Sequence, residues 1–162
     1  MKHRGSIAIF CLLFALLSAS LSKAESGKRN SATIAEGFLR DVGQQKNPEA
    51  VDKYVTEDFV ITTGGREIHS REAFKKWVAD FQSKISDMKL EVLETIQNAE
   101  GSRVVTRMRL TGKNNGMFGL KPDQKPFVLT ATAVWAVNAQ GRLEHNWVER
   151  NAWEVYSQLV EN

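Results

Sequence analysis

The chain has 162 residues, 42% of them hydrophobic and 25% charged, with 22 Lys and Arg against 19 Asp and Glu. That composition fits one globular domain and excludes a long disordered or low-complexity protein. The basic excess is local: Lys2, Arg4 and Lys23 all lie in the first 24 residues, so the rest carries equal numbers of acids and bases and predicts no charge-driven nucleic-acid surface.

Residues 1–24 read as a signal peptide. Lys2, His3 and Arg4 form a basic start, and 7–17 is an apolar run too short to span a bilayer comfortably. Ser22 and Ala24 supply the small side chains of a cleavage site. The expectation is an exported protein, periplasmic or secreted, with no membrane contact after cleavage; an uncleaved anchor is the weaker alternative. Cys11, the single cysteine, leaves with the leader, so the remainder must be stable without disulfides. Residues 25–30 are a flexible polar lead, and 31–162 form one domain.

A first helix starts near Ser31, where Thr33 and Glu36 have capping-box spacing. Its apolar face is Ile34, Phe38, Leu39 and Val42, and Gly43 ends it. Asn47-Pro48 starts a second, short helix that buries Val51, Tyr54 and Val55. "DFVIT" is a short strand and Gly64-Gly65 a turn. Ser70 caps a longer helix on which Phe74, Trp77, Val78, Phe81 and Ile85 recur at intervals of three and four. From there the period changes to two. "MKLEVLETIQ", "SRVVTRMRLTG", "PFVLTATAVWAV" and "RLEHNWVER" are four strands, with hairpins at Glu100-Gly101 and Gln140-Gly141. A tail helix carries Trp153, Tyr156 and Leu159. Helices followed by a strand meander predict an α+β fold. A strongly bent antiparallel sheet with the helices on its concave face makes a cone with a pocket in its open end.

The stretches "PEAVDKYVTEDFVITTGGREIHSREAFKKWVADFQ" and "SRVVTRMRLTGKNNGMFGL…VWAV…GRLEHNWVERNAWEVYSQL" resemble SnoaL-like polyketide cyclases, of the nuclear transport factor 2-like superfamily of α+β cones. The resemblance spans nearly all of 31–162. It implies acid–base residues at particular positions, and there this sequence departs from the family. The family's histidine after the long strand falls on Asn114. The histidine and aspartate around the last-strand tryptophan, here Trp147, fall on Asn146 and Val148. A further histidine falls on Thr62, and the aspartate base of the related ketosteroid isomerases on Thr63. Asn, Val and Thr do not titrate in a useful range, so they cannot carry a proton, although Asn and Thr can donate to an oxyanion.

Three functions stay open. The first is a small-molecule-binding domain for a lipophilic or aromatic ligand, needing no cofactor and no metal. Its pocket would be formed by Phe38, Tyr54, Phe59, Thr63, Trp77, Phe81, Met108, Leu110, Asn114, Phe118, Asn146 and Val148. The second is a cyclase or isomerase with a relocated base, for which Glu149, His145 and Asp58, with Glu67, are the candidates. The third is a protein-interaction module using the outer sheet face, where a homodimer also stays open. In the last strand, His145, Trp147 and Glu149 share one face, and Asn146, Val148 and Arg150 the other. His145 is therefore expected away from the pocket unless a bulge reverses the faces. Arg107 and Arg109 alternate with Met108 and Leu110 and are expected on the solvated side. Trp135 and Trp147, on neighbouring strands, are expected to stack together or to share a dimer face. The Gly116–Gly119 loop, with Met117 and Phe118, either closes over the pocket or tucks against the core.

Overall fold

A computed structural model describes residues 30–161; the expected leader, and the lead up to residue 29, lie outside them. The chain runs helix α1 (Ser31–Phe38), a π-helical turn (Leu39–Gln44), a 3-10 turn (Pro48–Ala50) and helix α2 (Val51–Tyr54). Strands β1 (Val55–Thr63) and β2 (Arg66–His69) follow, then helix α3 (Arg71–Ser83). Strands β3 (Ile85–Gln97), β4 (Arg103–Asn114), β5 (Pro126–Val137) and β6 (Leu143–Arg150) come next, and helix α4 (Ala152–Val160) ends the fold. Among the described residues no helix is long and apolar enough to cross a membrane.

The six strands form one sheet in the order β2-β1-β6-β5-β4-β3. The expected sheet was antiparallel throughout; the observed one is mixed, because β6 pairs parallel with β1, Ile61 opposite Asn146. The reason is connectivity. The meander β3-β4-β5-β6 turns back at each hairpin, and its last strand meets the free edge of β1 running in the same direction. Strand β2 was missed in the sequence because "REIH" is short and mostly exposed and polar, with Ile68 its one apolar residue. Register shifts between Ser86 and Lys89 and between Val92 and Glu94 interrupt the β3–β4 ladder. Such bulges bend a sheet, here around α1 and α3.

Local chemistry fixes the helix ends. Asn30 rather than Thr33 caps α1, its Oδ1 accepting from the Thr33 N–H at 3.3 Å. Gly43 does not stop the helix; the backbone widens into the π-turn and passes through it. Ser70 caps α3 as expected, accepting from the Ala73 N–H. That helix ends at Ser83, two residues short of Ile85, which instead begins β3 as a buried side chain. Arg142 closes the end of α2, donating to the Asp52, Lys53 and Val55 carbonyls at 2.7–2.8 Å. Such orphan carbonyls at a helix end need donors.

The core lies between the sheet and the face of α1 and α3. An aromatic run follows α3: Phe74 stacks with Trp77 at 5.9 Å and Trp77 with Phe81 at 5.7 Å, while Phe59 packs against Phe74 at 4.7 Å. Two buried polar pairs stand out. Trp135 Nε1 donates to Thr106 Oγ1 at 2.9 Å, and Ser31 Oγ donates to the Gly101 carbonyl, pinning α1 to the β3–β4 hairpin.

Candidate functional site

The helices do not fill the bend of the sheet. A cavity of about 110 Å³ remains between them. Its walls come from the end of α1 and the π-turn (Phe38, Leu39, Val42, Gly43), from α3 (Phe74, Trp77, Val78, Phe81, Gln82), and from the inward residues of the strands. Period-two alternation turns Met108 and Leu110, then Leu129, Ala131, Ala133 and Trp135, then Asn146, Val148 and Arg150 toward it. Most of these side chains are buried, whereas Trp77, Phe81, Leu90 and Arg150 are partly exposed and form the rim. A Cβ at Gly43 would come within 2.5 Å of Leu90 Cδ2, so the bare backbone lets Leu90 lie across the rim in its present rotamer.

The polar content of the lining is small. Gln82 Nε2 donates to the Val42 carbonyl at 2.8 Å, and Asn146 Nδ2 to the Val134 carbonyl at 3.2 Å. Among the described residues that line the cavity, Arg150 is the one ionisable side chain. Its guanidinium lies over the Trp77 ring at 5.1 Å and over Phe81 at 5.5 Å. Its Nη1 donates to Thr63 Oγ1 at 2.5 Å. Burial brings its pKa down to about 10, with the neighbouring Glu149 charge opposing the shift, so it stays cationic at neutral pH. Sequence reasoning put Arg150 on the pocket face of the last strand but gave it no role. The available sign was an arginine in line with two expected lining residues, Asn146 and Val148.

Seven of the twelve expected pocket residues border this cavity: Phe38, Trp77, Phe81, Met108, Leu110, Asn146 and Val148. Five do not. Tyr54 packs edge-on against Phe38 at 6.0 Å and turns its hydroxyl to Asp41. Phe59 is fully buried behind Phe74. Thr63 stands behind Arg150 and touches the site through it. Asn114 organises the 115–125 loop instead. Its Nδ2 donates to the Lys121 carbonyl and to Asp123, and its Oδ1 accepts from the Gly116 and Met117 N–H groups. Phe118, at φ +55° and 46% exposed, points outward and meets Tyr156 edge-on at 5.8 Å. The glycine-bracketed loop thus tucks Met117 into the core and does not cover the cavity.

The candidate bases sit elsewhere. The β5–β6 register is unbroken from Arg150 to His145, so the strand faces are not exchanged and His145 and Glu149 lie on the outer face. His145 lies flat on Trp147, ring centroids 3.7 Å apart, with its Nε2 2.8 Å from Thr62 Oγ1. Burial pushes its pKa below the ordinary value. Glu149 borders a second, more polar hollow of about 320 Å³, along with Arg107, Thr130 and Thr132, and this hollow shares Met108, Ala131 and Arg150 with the cavity. Asp58 and Glu67 are exposed on β1 and β2. Arg107 and Arg109 pair with Glu94 and Glu91 on the same outer face. The two tryptophans do not stack and share no face, since Trp135 is buried inside the sheet and Trp147 is 38% exposed outside it. Among the described residues no cluster of His, Cys, Asp or Glu is arranged to hold a metal ion.

Comparison with known proteins agrees with this geometry. The family model for SnoaL-like polyketide cyclases matches residues 33–159. A SnoaL-like polyketide cyclase structure from Jannaschia sp. CCS1 superposes with a TM-score of 0.74 at 15% identity, over 85% of this chain and 96% of that one. A polyketide cyclase structure from Acidithiobacillus ferrooxidans gives 0.71 at 22% identity, over 81% and 95%. An epoxide hydrolase structure from M. tuberculosis gives 0.62 at 14% identity, over 81% and 90%. No curated protein sequence gives a significant match.

Proposed function

The chain belongs to the SnoaL-like polyketide cyclase family, and from that premise we propose that it is an exported domain that binds a small apolar molecule in the cavity rather than rearranging one there. The observation that carries the reading is the lining: buried aromatic and aliphatic side chains with two neutral amides and no carboxylate, imidazole, thiol, amine or phenol. Proton transfer to a bound carbon acid needs a group able to take the proton and return it, and an arginine that stays charged at neutral pH is a poor base. Apolar lining with a few fixed polar groups is what a small-molecule site usually offers.

The volume narrows the ligand. An engineered apolar cavity of about 150 Å³ holds one benzene ring, so about 110 Å³ suits one ring or a short alkyl chain. Larger bodies need Met88 and Met108 to move, and unbranched thioethers re-pack readily.

The test pairs two assays on residues 25–162. Thermal shift and calorimetry against single-ring and short-chain compounds should find binders. Deuterium exchange at the α-carbon of enolisable ketones should proceed at the buffer rate. Exchange well above buffer that Glu149→Gln or His145→Gln abolishes would replace binding with catalysis.

Export rests on the basic, apolar and small-residue pattern of 1–24 and is checked by the N-terminal sequence of the protein recovered from its cells. A homodimer is a second reading for the outer face, on which Ile96 (55% exposed) and Trp147 stand clear of the core. Sedimentation of Trp147→Glu beside the native chain tests it.

A further inference from the structure

Arg150 is not explained by packing alone. A guanidinium has five N–H donors in a planar fork and no acceptor. Here one donor is used, toward Thr63 Oγ1, and no carboxylate lies within ion-pair distance among the described residues. Glu149 is adjacent in sequence and borders the outer hollow, whose edge Arg150 also reaches, but the two side chains form no ion pair. Elsewhere Arg40, Arg71, Arg107 and Arg109 each have a carboxylate partner, and Arg142 donates to three backbone carbonyls. Removing a cation from water is expensive unless something replaces the hydration. The Trp77 and Phe81 ring faces replace part of it. The rings hold the guanidinium at the rim, where its remaining donors can meet a group standing in the opening.

We propose that Arg150 is an anion receptor, and that the ligand is an organic acid whose apolar body fills the cavity while its carboxylate pairs with the Arg150 fork at the rim. This deepens the binding reading and rests on it. The arrangement orders the ligand, tail inward toward Ala133 and Val148, head outward beside Trp77 and Phe81. It also sets selectivity. A carboxylate satisfies two parallel N–H donors, whereas an alcohol or amide of the same shape offers one neutral acceptor and leaves the cation without a counter-charge.

The experiment compares 3-phenylpropanoate, 3-phenylpropanamide and 3-phenylpropanol by calorimetry at pH 7, on the native protein, Arg150→Gln, Arg150→Lys and Ala133→Leu. The native protein should bind the acid roughly 10- to 100-fold more tightly than either neutral compound, the range expected for a hydrogen-bonded charge. Arg150→Gln should remove that preference and leave weak, equal binding of all three. Arg150→Lys, which keeps charge without the fork, should retain part of it, and it covers the case in which the glutamine variant does not fold. Equal affinity of the native protein for acid, amide and alcohol, all abolished by Ala133→Leu, overturns the receptor and leaves the binding reading intact. No binding of any of the three to a folded native protein removes both.

Discussion

The Tyr54 hydroxyl donates to Asp41 Oδ2 at 2.5 Å, and Lys53 Nζ reaches the same oxygen at 3.0 Å. This pair ties α2 to the π-turn that supplies Val42 and Gly43 to the cavity. The Tyr54 hydrogen bond, with Lys53 assisting, holds the Asp41 carboxylate at a pKa of about 2 against an ordinary 3.8. A carboxylate whose folded pKa is depressed stabilises the native state above its unfolded pKa, and that stability is lost as pH falls through the folded value. Thermal melts should therefore show Asp41→Asn less stable than the native protein at neutral pH. The gap should close between about pH 4 and pH 2. A gap that persists unchanged down to pH 2 would show that the charge is not what matters.

Phe74 and Trp77 are neighbours on α3 with different surroundings. Phe74 is enclosed by Phe38, Phe59 and Trp77, while Trp77 is partly exposed above a cavity. Phe74→Ala should destabilise by about 3–5 kcal/mol. Trp77→Ala should cost less, although it deletes the larger side chain, because one of its sides already lacks neighbours. Denaturant unfolding orders the two, and the reverse order would mean the cavity is not beneath Trp77.

Ala133 is fully buried and lines the cavity from β5. In a filled core an added methylene strains the packing by about 1–3 kcal/mol. Here Ala133→Val enters empty space, and burying the added groups should stabilise by up to about 0.8 kcal/mol each. A higher midpoint in urea, together with weaker ligand binding, is the expected result.

Asn114→Ala should free the 115–125 loop. It leaves the Gly116 and Met117 N–H groups without their acceptor, and a buried unsatisfied donor costs about 1–3 kcal/mol. Limited proteolysis should cut within 115–125 far faster than in the native chain. Ligand affinity should change little, since Asn114 does not touch the cavity.

The parts of this fold that could be read from sequence were those with a strong period. The apolar spacing from Phe74 to Phe81 and the alternation through β4, β5 and β6 located α3 and the meander, and they put Met108, Leu110, Asn146 and Val148 on the correct face. What failed lacked a period. Strand β2 is four residues, three of them exposed, whose sheet partner is supplied by β1. The π-turn depends on tertiary packing that overrides Gly43 as a stop. Asn114 was misassigned because a family position was carried over without its loop, and only the assembled loop shows the side chain bonded on both ends. Arg150 was placed on the right face without a role, because an arginine at a strand end has no distinctive pattern until Trp77 and Phe81, about seventy residues earlier in the chain, are brought beneath it.

The parallel pairing of β1 with β6 sets an order on assembly. Strand β1 is complete by Thr63, yet one of its edges waits for 143–150. Until those residues arrive, β1 carries an open row of amides and carbonyls, and the walls from Phe38 to Phe81 face no opposing wall. Contacts so distant in sequence form slowly. That edge of the sheet cannot be paired until residues 143–150 have been synthesised.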